Sequence, residues 1–276
     1  MSTLKYSNFK INPIFPDVMT SQADNLSQEC FPHFHLDFDI TLITSGVLQL
    51  KIGNVTNFYS KNQICIINPG MVHCGEGVGS DLLSTKNVRV KPEFMLNVAK
   101  MDNAEHPETL HFDTTPIFNP ELSGLFQHYF DLSRDKNSPP QMVSDAGWDL
   151  FSALVNHSSD SHKSVLGKPI HGCSEIDLMK DKVREKLNIQ DLATKMNLSE
   201  YYFIKKFKKH YGITPYSFFM QMKLESAFNA LIKGKKIKEV AHEFGYSDQA
   251  HLNRLLKKHY GYTPIEVRKI KQEAER

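Results

Sequence analysis

Two basic segments carry side chains whose types and spacing could read a nucleic-acid duplex. Tyr201, Ile204, Lys205 and Lys208 follow the i, i+3, i+4, i+7 rule, with Lys206 and Lys209 beside them. On a helix they share one face. Tyr201 and Lys205 could reach base edges, while Lys208 and Lys209 lie nearer the phosphates. A second segment offers Gln249, Ala250, His251, Asn253 and Arg254, followed by Lys257 and Lys258. Gln pairs bidentately with adenine, Arg with guanine, and Ala can touch a thymine methyl. Each good bidentate pair discriminates against the wrong base by ~1–3 kcal/mol.

The elements that would position these faces form an internal repeat. Residues 192–215 and 240–264 align, with Lys-Lys-His-Tyr-Gly-x-Thr-Pro common to both ends. Each copy reads as helix, tight turn, helix. In the first, Ile189, Leu192, Ala193 and Met196 share a face, Ser199 caps a helix over Glu200 to Tyr211, and Gly212 ends it. Phe203 and Phe207 point inward. In the second, Ile237, Val240, Ala241 and Phe244 form the first helix, Ser247 or Asp248 caps the next, Leu252 and Leu256 point inward, and Gly261 is the stop. An alanine at the centre of each first helix lets two helices cross closely. This is helix-turn-helix geometry, whose second helix enters a major groove. Between the copies, Pro215 to Lys233 reads as one helix of roughly 28 Å at ~1.5 Å per residue. That length approaches the ~34 Å between successive major grooves on one side of a duplex.

Charge divides the chain at the same place. Residues 175–276 carry 21 Lys and Arg against 13 Asp and Glu, a net +8, whereas residues 1–174 carry 12 against 18, a net −6. The basic part suits a polyanion and the acidic part does not. At 276 residues the chain has the length of about two domains. Asn156 to Ser174 is Ser/His/Gly-rich without apolar period, so we divide the chain into 1–160, a linker 161–174, and 175–276. Within the first part, Phe31 to Val78 reads as short strands punctuated by Ser45-Gly46, Gly53-Asn54 and Asn68-Pro69-Gly70, the pattern of a sandwich or small barrel. A helix pair follows. Pro120 opens one helix with Leu122, Leu125, Phe126, Tyr129 and Phe130 on one face, and Met142 to Val155 forms the other. Their apolar faces could serve a homodimer interface or the chain's own core. The fold expected is α+β with two domains, a β-barrel with a helix pair and an all-α tandem domain.

Hydrophobic residues are 40% and charged residues 23%, enough for real cores. No stretch approaches the ~18 apolar residues of a membrane span, and the first residues show no signal-peptide core. Cys30, Cys65, Cys74 and Cys173 are too few and scattered for a disulfide scaffold. A cytoplasmic protein without membrane partners is expected.

The second part resembles the AraC/XylS family of bacterial transcription regulators. The resemblance is carried by Leu192-Ala193, Leu198-Ser199, Phe203, Phe207-Lys208-Lys209, Gly212-Ile213-Thr214-Pro215, Leu224-Glu225-x-Ala227, Ile237-x-x-Val240-Ala241, Phe244-Gly245-Tyr246-Ser247-Asp248-Gln249 and Gly261-Tyr262-Thr263-Pro264. It implies a seven-helix DNA-binding domain in a promoter activator that meets RNA polymerase. The family's base-contacting positions fall on Tyr201, Ile204 and Lys205, and on Gln249, Ala250, His251 and Arg254. Lys223 stands where Arg is usual, Leu256 replaces a usual Phe, and Ile204 is apolar at a contact position, which shifts the expected readout toward the second copy. The first part resembles the cupin-like sensor domain of such regulators, through Phe31-Pro32-His33-Phe34-His35, Gly46 and Asn68-Pro69-Gly70-Met71-Val72-His73. In cupin enzymes the positions of His33, His35, Asp39 and His73 bind a divalent metal, and such a set suits Zn, Fe or Ni. In sensors the barrel holds a small molecule, so we assign these four residues to an effector and expect neither metal, cofactor nor catalysis. The rival is a metal-dependent cupin enzyme with a DNA-binding tail.

Overall fold

The computed structural model describes residues 7–26, 32–102, 110–158 and 174–274. The linker expected at 161–174 falls almost entirely outside these residues, as do Cys30 and Cys173. Eight strands come first. They are β1 (Ser7–Asn12), β2 (Phe15–Leu26), β3 (Phe38–Ser45), β4 (Val47–Ile52), β5 (Val55–Ser60), β6 (Ile64–Ile67), β7 (His73–Val78) and β8 (Leu83–Val90). They form a five-stranded sheet in the order β1-β2-β8-β3-β6 and a three-stranded sheet in the order β5-β4-β7, all antiparallel. Gly46 turns β3 into β4 at φ +70°, where a Cβ would stand 2.9 Å from the backbone of Asp81 and Leu82. The turn therefore needs glycine.

The first sheet is buried on both faces. On its outer face Val18, Phe38, Ile40, Val88 and Val90 form one core with α1 (Pro92–Met101), α2 (Pro120–Arg134) and α3 (Pro140–Asn156). The apolar faces of α2 and α3, offered by the sequence as a possible dimer surface, are spent here. Phe126, Phe130, Leu150 and Leu154 are all buried within the chain. On the inner face, Ile43 and Ile67 pack with Leu50, Ile52 and Tyr59 of the smaller sheet.

The inner face at the β1–β2 edge is covered by the helical half. That half comprises α4 (Ser174–Asp181), α5 (Ile189–Lys195), α6 (Glu200–Tyr211), α7 (Pro215–Ile232), α8 (Ile237–Glu243), α9 (Gln249–Tyr260) and α10 (Pro264–Ala274). Phe9 of β1 and Met19 of β2 join the core formed by Phe228, Val240, Ala241, Leu252, Leu256 and Val267. Phe34 joins the other helical core, stacking on Phe218 at 4.2 Å between ring centroids. Helix α7 serves both cores, with Phe218, Phe219 and Met222 on one side and Leu224, Ala227, Phe228 and Leu231 on the other. An apolar surface nearly all round is what a central helix requires.

Candidate nucleic-acid interface and effector site

The two expected recognition helices are α6 and α9. Ser199 Oγ accepts the Tyr202 amide and Asp248 Oδ1 accepts the His251 amide, capping the two N-termini. Gly212 and Gly261 end them in the left-handed conformation at φ +79° and +76°. Phe203, Phe207 and Tyr211 anchor α6, and Leu252, Leu256 and Tyr260 anchor α9. The remaining faces point outward. Tyr201, Lys205, Lys208 and Lys209 are exposed on α6, and Gln249, Ala250, Arg254, Lys257 and Lys258 on α9. Ile204 and His251 are half-buried. The His251 ring lies against Tyr246, with Nδ1 3.3 Å from Ser247 Oγ, so that nitrogen is held by the turn. Both outward sets thus occupy the faces their spacing indicated. The 18 residues of α7 form a rod of roughly 27 Å between the modules at ~1.5 Å per residue.

Lys223 and Glu225 on α7 are buried polar residues that the pattern did not single out as partners of other elements. Lys223 Nζ donates to the Glu185 carbonyl at 3.0 Å, and burial lowers its pKa. The Tyr260 hydroxyl donates to the Glu225 carboxylate. Burial pushes Glu225 up to about 7, against the pull of Arg89.

His33, His35 and His73 also come together. His33 and His73 exchange backbone hydrogen bonds at 2.9 and 2.8 Å, and the three rings have centroids 4.3–5.3 Å apart. Their ring nitrogens lie within 4.8 Å of one another. Asp39 is separated from them in role. Its Oδ2 accepts from Arg89 Nε at 3.2 Å, and its Oδ1 accepts from Asn87 Nδ2 at 2.5 Å and Thr41 Oγ1 at 3.0 Å. Arg89 NH2 also donates to His35 Nε2 at 2.9 Å. Because guanidinium can only donate, that nitrogen of His35 is the acceptor, and its proton is on Nδ1. The Nδ1 proton is buried without an acceptor among the described residues. Burial, reinforced by the charge of Arg89, depresses the His35 pKa well below its ordinary value, and burial pushes His73 down to about 4.

These facts set the chemistry of the cluster. His73 Nδ1 bonds the Met71 carbonyl at 2.9 Å, leaving Nε2 in the form that ligates a metal. His35 does not match it, since one nitrogen is taken by Arg89 and the other is protonated. A cation would also sit beside a guanidinium. The arrangement fits an incoming hydrogen-bond acceptor better than a metal ion. The adjoining cavity is about 30 Å³ and is lined by His33, His35, Gln221, Leu224, His259 and Tyr260, so His33 and His35 face the seam between the two halves. Sequence reasoning missed Arg89, whose place in Asn87-Val88-Arg89-Val90 alternates with two buried valines.

Residues 15–151 match the family model of the AraC-like ligand binding domain, and residues 192–270 match that of a helix-turn-helix domain. The chain belongs to the AraC family. It is 24% identical over 226 residues to the HTH-type transcriptional regulator YbfI of Bacillus subtilis, covering 80% of this chain and 81% of that protein. It is 26% identical over 259 residues to the HTH-type transcriptional regulator YdiP of Escherichia coli, covering 90% and 84%. Among solved structures, ToxT of Vibrio cholerae shares the fold, with TM-score 0.60 and 11% identity over 95% of this chain and 99% of that one. The chain is accordingly an AraC-family DNA-binding transcriptional regulator with an N-terminal ligand-binding domain. Among the described residues no helix is long and apolar enough to cross a membrane.

Proposed function

We propose that this regulator activates transcription by placing α6 and α9 in consecutive major grooves of double-stranded DNA while its barrel half answers to a small effector. The observation that carries this reading is the pair of capped helices, each with an exposed polar and cationic face, at the two ends of one buried rod. Tyr201, Ile204, Lys205, Gln249, Ala250, His251 and Arg254 meet base edges. Lys208, Lys209, Lys257 and Lys258 meet phosphates, which fix register without reading sequence. His33, His35 and His73 meet polar groups of the effector at the seam, the Nδ1–H of His35 donating and the bare Nε2 of His73 accepting, and Asp39 holds Arg89 behind them. That an effector is a small organic molecule is supported by one ToxT structure, described as holding an unsaturated fatty acid.

We place the regulator in the cytoplasm, with RNA polymerase as its partner at the promoter. It acts as a homodimer, and exposed Phe118, just before α2, with Met142 and Trp148 of α3, are the apolar groups left for a second copy. Nuclease footprinting on the DNA upstream of the gene tests the reading. Two protected patches one helical turn apart on one side of the duplex are expected, and a single short patch would overturn the two-groove arrangement. Sedimentation of the free protein tests the dimer.

A further inference from the structure

A second cavity lies apart from the histidine cluster and shares no lining residue with the small cavity there. It has a volume of about 280 Å³ and sits at the free edge of β1, between the α2–α3 turn and α10. That volume is close to the lower end of the ~300–1,000 Å³ of small-ligand sites, the size of a small organic molecule. Its walls are apolar, with Ile11 and Ile14 from the β1–β2 hairpin, Val143 from α3 and Ile270 from α10. Its rim is cationic. Lys10, Arg134 and Lys136 line it, against the one carboxylate of Asp135. Asp135 is engaged by its own turn, accepting from the Asn137 amide at 3.0 Å and Ser138 Oγ at 3.4 Å.

Arg134 is the decisive residue. One guanidinium nitrogen donates to the Thr20 carbonyl at 3.2 Å and hydroxyl at 3.1 Å, and the group lies 5.2 Å from the Phe130 ring centroid. Among the described residues no carboxylate pairs with it. Burial lowers its pKa. A half-buried guanidinium held in place by neutral groups, at the mouth of an apolar cavity, lacks the counter-charge that such groups normally acquire.

We infer that this cavity binds an amphiphilic organic monoanion, its carboxylate or sulfonate head paired with Arg134 and its apolar body lying between β1, α3 and α10. Such a ligand touches both halves of the protein at once. Its apolar body would rest on Ile270, in the core of the second helix-turn-helix module, and its head on the end of α2. The site goes beyond the effector contact assigned above to the histidines.

The test is calorimetric titration of the full chain, without DNA, using decanoate and 4-phenylbutyrate as anionic probes and decanol and 4-phenylbutanol as their neutral counterparts. At least one anion should bind with one-to-one stoichiometry, at least tenfold more tightly than its alcohol. Arg134→Gln should erase that preference and Arg134→Lys should keep part of it. Ile11→Trp, which fills the cavity without altering charge, should abolish binding, and His33→Ala should leave it unchanged. Absence of binding by both anions, equal binding of acid and alcohol, or an isotherm sensitive to His33→Ala would overturn the inference. If Arg134→Gln fails to fold, the acid–alcohol comparison on the parent protein still decides. These titrations are independent of the footprint, so either reading can fail without the other.

Discussion

Arg254 and Lys257 share one exposed face of α9 but put different questions to a duplex. Arg254 presents a fork suited to guanine, so Arg254→Ala should weaken specific binding by about tenfold to a hundredfold and relax a single base position, with non-specific binding little changed. Lys257 stands one turn nearer the C-terminus, where we propose that it meets a phosphate. Lys257→Ala should weaken all sequences alike and flatten the salt dependence by roughly 0.9 in log–log slope. Fluorescence anisotropy between ~50 and ~200 mM salt separates the two, and identical responses would refute the division of labour. The buried titratable residues make a second prediction. Glu225 is held up at about 7, so between its ordinary 4.5 and 7 the folded chain keeps a proton that the unfolded chain releases. Its contribution is full at acid pH and is lost as pH rises through 7, with a span of about 3 kcal/mol. His73, pushed down to about 4 from 6.5, works oppositely, because acid protonates the unfolded chain first and costs stability. The two slopes offset one another between pH 4.5 and 6.5. Arg89, Asp37, Asp39 and Tyr260 all face Glu225 and none removes this opposition. Glu225→Gln keeps an acceptor for the Tyr260 hydroxyl and deletes one side of the balance. The variant should therefore lose stability on acidification from pH 7 to 5 more steeply than the parent in denaturant titrations, and parallel curves would contradict the assignment.

At the scale of elements, Gly147 shows how tightly α3 is seated on the sheet. A Cβ there would lie 2.3 Å from the ring of Phe15, which is buried at the end of the first sheet against Tyr129 and Phe151. Gly147→Ala should cost ~1–3 kcal/mol through overpacking, although alanine favours a helix. Phe15→Leu in the same chain should recover part of that loss, and additive effects in a denaturant double-mutant cycle would show that the two residues do not compete for space. Legibility in the sequence varied by element for physical reasons. Helices α6 and α9 were readable because their ends carry residues that only a cap requires, Ser199 and Asp248 at the start and Gly212 and Gly261 at the stop. Strands were read only between Phe31 and Val78, and β1, β2 and β8 were missed. The inner faces of β2 and β8 bury Ser21, Thr85, Asn87 and Arg89, and Ser21, Asn87 and Arg89 bond to side chains of other strands, so hydropathy alternates weakly there. The same network explains the site. The spacing of His33, His35 and His73 indicated a cluster, but the partner that takes Asp39 away from it, Arg89, lies fifty residues on and becomes a neighbour only through the β3–β8 register.

The whole molecule is joined by a seam that neither half would need alone. Phe9 and Met19 from the barrel lie in the core of the second helix-turn-helix module, and Phe34 stacks on Phe218 at the start of α7. Gln221 Nε2 donates to the Pro32 carbonyl at 3.1 Å, and the charge of Arg89 acts on Glu225. Every one of these contacts ends on α7 or on a helix packed against it. Displacement of the barrel would therefore act on the rod between α6 and α9, the physical route we propose from an effector to DNA. Chains of more than ~150 residues commonly unfold in separate steps, so a shared core makes a sharp prediction. Scanning calorimetry should give one transition, with calorimetric and van't Hoff enthalpies equal. Truncating both aromatic links, Phe9→Ala with Phe34→Ala, removes burial worth ~3–5 kcal/mol at each site, and should split the transition in two while each half keeps its secondary structure. Two transitions in the parent would mean that the halves are energetically independent, and the rod could not then carry a signal from barrel to groove.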